Sequence, residues 1–430
     1  MQVNRRKFGA LLCVLLATAA VASTATASHT SKTPGVSKHQ IVIGGTFPYS
    51  GKAALYKTIP TAEQAYYAYV NAKGGVFHRK IKDITLDDQY DPGQTGPAVK
   101  KLVEQDHVFA IVGSLGTAPG LATWGYLNKR HIPQVLLATG DAYWGKCVHR
   151  ACPAAGATTP RPWTMGWQSD YPGEARQYAK YILKHKPNAK IGVLFQDDAY
   201  GKNLLNGLKS GLGSHKSQIV DQQSYSVTDS GAVVGSHVVH IATSGADVFV
   251  IFATPSANIA ALATEGQIPN WHPLTIDNNV SANRIFMQIA AQSGASLNGI
   301  ISTNYLSSAT TQANLPGMKL AKRIIHKYAP ALDQQFAAGD SNLIYGLGTA
   351  WTFVDGLKHA GKNPTRKSLM HALRTLNETG KNKNPFVYPG MAVKTSKKRT
   401  FPMQQLIFMK WAGGAGGDWK TFGKVINSGH

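Results

Sequence analysis

Residues 109–120 read Phe-Ala-Ile-Val-Gly-Ser-Leu-Gly-Thr-Ala-Pro-Gly. Phe109–Val112 has the apolar continuity of a strand buried on both faces, Gly113 interrupts it, and a helix opens after it toward Lys129. Thr117 is placed to cap that helix with its hydroxyl. Pro119 falls in the first turn, where a missing N–H leaves no bond unmade. Val135–Ala138 is the next apolar run, followed at once by Thr139 and Gly140. Strand, glycine turn, helix and strand form the repeating unit of a parallel sheet, because two parallel neighbours need a crossover between them.

The same unit extends in both directions. Upstream lie a strand at Ile41–Thr46, a helix near Thr61 with Ala62, Ala65, Tyr66, Tyr69 and Val70 on one face, and a second strand at Ile81–Leu86. A further helix follows, carrying Ala98, Val99, Leu102 and Val103. Downstream the pattern starts again with a helix around Tyr178–Leu183, a strand at Ile191–Phe195 and a helix around Leu204–Leu208. Strands at Ile219–Tyr225, Val248–Phe252 and Leu274–Ile276 continue it. Two successive α/β units predict two lobes, and Ile300–Tyr305, the helix Leu343–Ala360 and the strand Gln404–Met409 are placed to cross between them. A ligand would then lie between the facing carboxyl ends of two sheets. No internal sequence repeat accompanies the repeated architecture, which excludes a solenoid.

Composition narrows the class. The 430 residues are 43% hydrophobic but only 16% charged, against about 25% charged in ordinary domains. A disordered chain, a coiled coil and a collagen-like repeat are all excluded. Lys+Arg 45 against Asp+Glu 22 leaves a formal charge of +23. Charge alone is no nucleic-acid signature, and no nucleic-acid motif accompanies it. With few carboxylates and 15 histidines, the charge reads either as adaptation to an acidic exterior, where fewer groups must protonate on acidification, or as attraction to an anionic envelope surface, which salt would weaken.

The first residues account for part of the excess. Arg5, Arg6 and Lys7 precede an apolar stretch from Phe8 to Ala22, with small-residue pairs at Ala20/Ala22 and Ala25/Ala27. This is the pattern of a secretory signal peptide over residues 1–27, with a polar spacer over 28–40. The run Arg5-Arg6-Lys7-Phe8 also resembles a twin-arginine export signal. The mature chain is therefore expected to be exported and monomeric. Cys147 and Cys152, five residues apart, favour a small disulfide-closed loop over two free thiols; His149 is the one histidine between them, which argues against a metal pair.

Candidate ligand contacts follow from position. Gly116, Thr117 and Ala118 lie at the helix opening after one strand, where free N–H groups and the helix dipole favour an anion. The loop lacks the glycine order and lysine of a phosphate loop, so no nucleotide cofactor is expected. Ala138, Thr139 and Gly140 hold the same place after the next strand. Tyr56 and Tyr200 lie in the equivalent strand-to-helix loops of the two units and can cover an apolar body while keeping a hydroxyl; Trp144, Trp163 and Trp167 read as further loop aromatics. Asp277 follows a strand of the second unit and can receive an ammonium group. Catalytic signatures are missing: no zinc-binding helix motif, no nucleophile elbow, and the pairs Asp87-Asp88 and Asp197-Asp198 read as caps or turns. Neither an enzyme, a metal nor any other cofactor is expected.

The order of these pieces resembles the extracytoplasmic substrate-binding proteins of branched-chain amino acid ABC importers. The resemblance runs from about residue 40 to 425. It rests on Gly44-Gly45-Thr46-Phe47-Pro48-Tyr49-Ser50-Gly51, on Tyr69-Val70-Asn71-Ala72-Lys73-Gly74-Gly75-Val76, and on Asp87-Asp88-Gln89-Tyr90-Asp91-Pro92. Val112-Gly113, Asp198-Ala199-Tyr200-Gly201 and the helix from Ile344 to Gly361 add to it. It implies an α/β fold of two Rossmann-like lobes with parallel-type central sheets joined by a three-strand hinge. Lobe 1 would take 41–165 with 305–398, and lobe 2 166–304 with 399–430. It further implies a ligand carboxylate held at Gly116, Thr117, Ala118, Ala138, Thr139 and Gly140, aromatic walls at Tyr56 and Tyr200, an ammonium at Asp277, and Tyr305 as a hinge-side aromatic. The implied ligand is a small carboxylate-bearing solute, an amino acid first, delivered to an ABC membrane permease. The Trp163–Trp167 run is also similar to receptors for other small acids, aromatic ones included. A sensor module of the same fold is the alternative from another class, and a secreted hydrolase a third.

Overall fold

Strands β1 (Gln40–Phe47), β2 (Lys80–Asp87), β3 (Ile111–Val112), β4 (Gln134–Leu137) and β5 (Thr164–Gly166) form one sheet in the order β2-β1-β3-β4-β5, every pair parallel. The computed structural model describes residues 33–428. The signal segment expected over 1–27, and residues 28–32 of the spacer after it, lie outside the described residues.

The second sheet contains β6 (Ile191–Gln196), β7 (Ile219–Tyr225), β8 (Val248–Phe252), β9 (Leu274–Asp277) and β10 (Ile301–Asn304), all parallel to their neighbours. A hairpin of β13 (Gln405–Ala412) and β14 (Asp418–Asn427) extends it antiparallel, giving the order β14-β13-β10-β9-β8-β6-β7. Two short strands, β11 (Asn377–Glu378) and β12 (Val393–Lys394), pair separately. The molecule is thus a two-lobed α/β fold. The chain passes between the sheets three times: after β5, after β10 and before β13.

Burial explains which runs became strands. Every residue of β8 is buried, as is every residue of β4, so continuous apolar sequence matches a sheet covered on both faces. The helix Thr58–Ala72 packs on the helix Ser341–Ala360, and the large core of the first lobe gathers side chains from both. Gly113 has φ +70°, and a Cβ there would lie 2.5 Å from the Glu63 carboxylate, so glycine is required where the chain leaves β3.

Several local expectations are corrected. The third strand shrinks to Ile111–Val112, although Phe109 still donates its N–H to the Val42 carbonyl. Gly116, not Thr117, is the N-cap of the helix Thr117–Lys129; the Thr117 hydroxyl is turned to Thr139 instead. Leu136 has φ +54° at a bulge in β4, which re-aims the residues that follow. Tyr200 stands in the first turn of the helix Ala199–Leu212 rather than in a loop, and Trp163–Trp167 contains β5. Asp198 caps that helix through the N–H groups of Tyr200 and Gly201, as its sequence position implied. Cys147 and Cys152 form a disulfide.

Candidate functional site

In each sheet the strand order reverses once, between β1 and β3 in the first and between β6 and β8 in the second. Open α/β sheets bind ligands outside the carboxyl ends of strands at such points. A cavity of about 60 Å³ lies where loops from both points meet. Tyr56 follows β1, Leu115 and Gly116 follow β3, Tyr200 follows β6 and Thr254 follows β8; all five line it.

The lobes touch across this space. The Tyr56 hydroxyl donates to the Val280 carbonyl at 3.1 Å, and its ring meets Phe286 edge-on at 6.1 Å between centroids. The Ser256 hydroxyl donates to the Lys52 carbonyl at 2.6 Å. Asn203 accepts from the Ala142 N–H at 3.3 Å and donates to Asp141 Oδ2 at 3.0 Å. The cleft is closed.

Aromatic rings dominate the walls: Tyr56, Tyr90, Tyr171, Tyr200, Tyr305 and Tyr345. Tyr171 and Tyr200 meet edge-on at 5.1 Å, and Tyr305 and Tyr345 both pack against Trp167. Gln168, Thr254, Asn279, Ser341 and Asn342 add amides and hydroxyls. Tyr345 donates to Gln168 Oε1 at 3.1 Å, and the Tyr200 oxygen accepts from Asn278 at 2.8 Å. Burial raises the pKa of Tyr56, Tyr90, Tyr200, Tyr305 and Tyr345 well above that of an exposed phenol, so each keeps its proton. None of the lining residues is charged.

Of the residues singled out from sequence, Tyr56, Gly116, Ala138, Tyr200 and Tyr305 share this wall; Thr117, Ala118, Thr139, Gly140 and Asp277 do not. Thr117 and Thr139 are buried and satisfy each other, hydroxyl to hydroxyl, at 2.7 Å, while the Thr139 oxygen also accepts the Asp141 N–H. Gly140 gives its carbonyl to the Tyr171 N–H, which seats that ring. These residues shape the wall without exposing a hydroxyl on it. The Thr117 and Ala118 N–H groups have no partner within the helix, as at any N-terminus, but neither residue lines the cavity.

Asp277 is fully buried, two residues before Asn279, which does reach the wall. Asn258 donates to its Oδ2 at 3.3 Å, and its Oδ1 has no hydrogen-bond partner. Burial, with the nearby Glu174 and Glu265 carboxyls, raises its pKa well above the usual carboxylate range. Glu174, which accepts from Tyr178 and from the Asn279 N–H, is pushed by burial up to about 7. Burial thus favours the neutral forms of both acids, which stand behind the wall rather than on it.

Sequence reasoning missed Tyr90, Tyr171 and Tyr345. Tyr90 had a signal: it follows Asp87-Asp88 after β2, and both Gln89 and Tyr90 adopt positive φ, pinned by N–H bonds to those carboxylates. Tyr171 opens the helix after β5. Tyr345 carried none, because it sits inside the helix Ser341–Ala360, which is buried along most of its length. Among the described residues no group of three or more His, Cys, Asp or Glu is placed to hold a metal ion, and no helix is long and apolar enough to cross a membrane.

Residues 40–417 match the family described as periplasmic binding protein. A Leu/Ile/Val-binding protein from Escherichia coli (strain K12) is 28% identical over 183 residues, covering 40% of this chain and 43% of that protein. The chain therefore aligns with less than half the length of that curated relative. The crystal structure of a branched chain amino acid ABC transporter from Thermus thermophilus with bound valine matches with a TM-score of 0.76 at 16% identity, over 91% of this chain and 97% of that one. A fatty acid ABC transporter substrate-binding protein from Thermomonospora curvata matches with a TM-score of 0.70 at 19% identity, over 91% and 94%. At these identities the structural likeness establishes the fold.

Proposed function

The chain belongs to the periplasmic binding proteins, a family of binding proteins rather than enzymes, and from that premise we propose that it is the extracytoplasmic receptor of an ABC importer for a small organic acid or amide. The lobes are taken as 41–165 with 305–398 and 166–304 with 399–430. The observation that carries the ligand class is the cavity lining: rings, amides and hydroxyls, and no charged side chain. A carboxylate or amide oxygen would be received by the phenol, amide and hydroxyl donors of the lining, and a flat or branched body by the tyrosine faces. The volume admits roughly four to six water-sized spheres, enough for a solute of about eight heavy atoms.

An α-amino acid is the second reading, favoured by the relatives named for Leu, Ile and Val and by the valine-bound Thermus structure. Its ammonium would lack a carboxylate on the cavity wall, and an unpaired buried ammonium costs several kcal/mol. The tyrosine faces offer such a cation about 2 kcal/mol. Binding would close the lobes because one ligand touches both, and only differential affinity shifts an open–closed equilibrium. The closed form would then meet the permease, while ATP hydrolysis elsewhere drives uptake.

Matched pairs test the ligand class. Calorimetry of 3-methylbutanoate against valine, and of 4-methylpentanoate against leucine, changes only the ammonium. The amine-free acid is expected to bind at least as tightly in each pair. Tenfold tighter binding of the amino acids would overturn the acid reading and leave the receptor fold standing. Loss of uptake of the bound acid in a deletion strain tests the transport role against a sensory one.

A further inference from the structure

A recess of about 470 Å³ lies on the first lobe, away from the interlobe cavity. β5 separates the two: Trp163 and Thr164 stand at its start and line the recess, whereas Gln168 and Tyr171 lie beyond its end and line the interlobe cavity. The recess converges six basic side chains, His149, Lys367, His371, Arg374, Lys397 and Arg399, and no acidic residue lines it. Its floor is apolar, with Trp163, Met165 and Met370.

A chain of formal charge +23 scatters cations everywhere, so number alone decides nothing. Two features distinguish this cluster. Arg374 and Arg399 are partly buried, and burial alone lowers both guanidinium pKa values, with no neighbouring anion acting against it. Arg374 spends one N–H on the Pro162 carbonyl, while the Arg399 Nε is buried with no partner. Among the described residues, none of the six belongs to an ion pair. Drawing guanidinium groups out of water without a counter-charge is unfavourable, and a bound anion would reverse that cost.

We propose that this recess is a second ligand site, for an anionic amphiphile whose phosphate, sulfonate or carboxylate head meets the cations and whose apolar body lies on Trp163, Met165 and Met370. The ligand is either a free small molecule or a membrane lipid. Calorimetry with octyl phosphate, inorganic phosphate and phosphatidylglycerol vesicles separates these cases. Octyl phosphate is expected to bind one to one. The exposed pair Lys367→Gln/Lys397→Gln should weaken it about tenfold without moving the Tm of the free protein. Arg399→Gln, a second variant, should weaken it at least as much. Affinity of the interlobe site for its own ligand should be unchanged in both. Vesicle binding lost in the same variants assigns the lipid source, and octyl phosphate binding without vesicle binding assigns the free one. Equal affinity for inorganic phosphate, or octyl phosphate binding untouched by the variants, would overturn the proposal.

Discussion

The wall of the interlobe cavity that follows β3 and β4 of the first sheet is Leu115, Gly116 and Ala138, small or apolar residues, beside the rings of Tyr56 and Tyr90 that follow β1 and β2. The wall from the second sheet is different. Its acids, Asp277, Glu174 and Glu265, are buried off the cavity surface, and Tyr200, Asn279 and Thr254 are what a ligand meets. An acidic residue just after a strand is thus no guarantee of charge at the site. In the second sheet the Asp277 carboxyl is consumed by the packing, and burial raises its pKa.

The largest expected effect comes from those protons. Glu174 and Glu265 are each shifted by burial from 4.5 to about 7. The folded chain holds these protons more tightly than the unfolded chain, so their stabilisation is complete below the unfolded value and is lost as pH rises through about 7. One such group is worth up to about 3 kcal/mol. Asp83 and Asp141 of the first lobe, also shifted to about 7, act in the same direction. Denaturant unfolding should therefore give a lower free energy at pH 8 than at pH 5, and Glu174→Gln should flatten that difference. Stability that rises from pH 5 to 8 would break the contrast between the walls. The expected direction agrees with a chain suited to an acidic exterior.

Tyr200 tests the aromatic cover of the second wall. Tyr200→Ala removes the ring that meets Tyr171 at 5.1 Å, and should cost about 2–3 kcal/mol of ligand affinity, close to a hundredfold. Tyr200→Phe removes only the oxygen that accepts from Asn278, and should cost about 1 kcal/mol. Calorimetry with the tightest ligand of the panel decides both; equal losses in the two variants would put the hydroxyl, not the ring, in charge of binding.

On the first lobe the Cys147–Cys152 disulfide closes a loop of five residues' separation beside Trp124. So short a loop restricts the unfolded chain by about 2 kcal/mol. Cys147→Ser with Cys152→Ser should lower the Tm accordingly and leave ligand affinity within twofold, because neither cysteine lines the interlobe cavity. A larger change in affinity would mean that the loop positions the first wall.

The fold was legible where burial on two faces writes itself as continuous apolar sequence, as in Val248–Phe252, which coincides with its expected strand. Ile219–Tyr225 also coincides with its expected strand, although it is a half-exposed edge strand with Asp221, Gln222 and Gln223 in it, so its place in the alternating α/β series marks it rather than apolar continuity. β14 was not read, because Asp418–Asn427 is mostly exposed and carries Lys420, Thr421 and Lys424 where an apolar run would be sought. The helix Pro255–Gln267 escaped for a related reason, since its small residues Ala257, Ala260, Ala261 and Ala263 mark no single face. For the site, place in the βα unit found Tyr56, Gly116, Ala138 and Tyr200. It could not tell a residue on the wall from one packed away from it, as Thr117, Thr139 and Asp277 illustrate, because that depends on which neighbour each side chain bonds.

The smallest expected effect belongs to Asp277→Asn, and it is the sharpest test of how the two walls differ. An ionised Asp277 pairing with a ligand ammonium would make the substitution cost about 2–5 kcal/mol in binding, a loss of at least thirtyfold. The geometry argues otherwise. Asn258 already donates to Oδ2, an oxygen that asparagine retains, and burial raises the pKa, which favours the neutral acid. Asparagine matches the protonated acid in shape and charge, so calorimetry with the same ligand should give an affinity within about twofold of the natural chain. The new Nδ2 would stand where Oδ1 now lacks a partner, so thermal unfolding should register a loss of about 1 kcal/mol in stability. Stability reduced with affinity intact keeps Asp277 in the packing of the second lobe. Affinity lost thirtyfold with the Tm intact would move it onto the ligand, and would restore the amino acid as the solute.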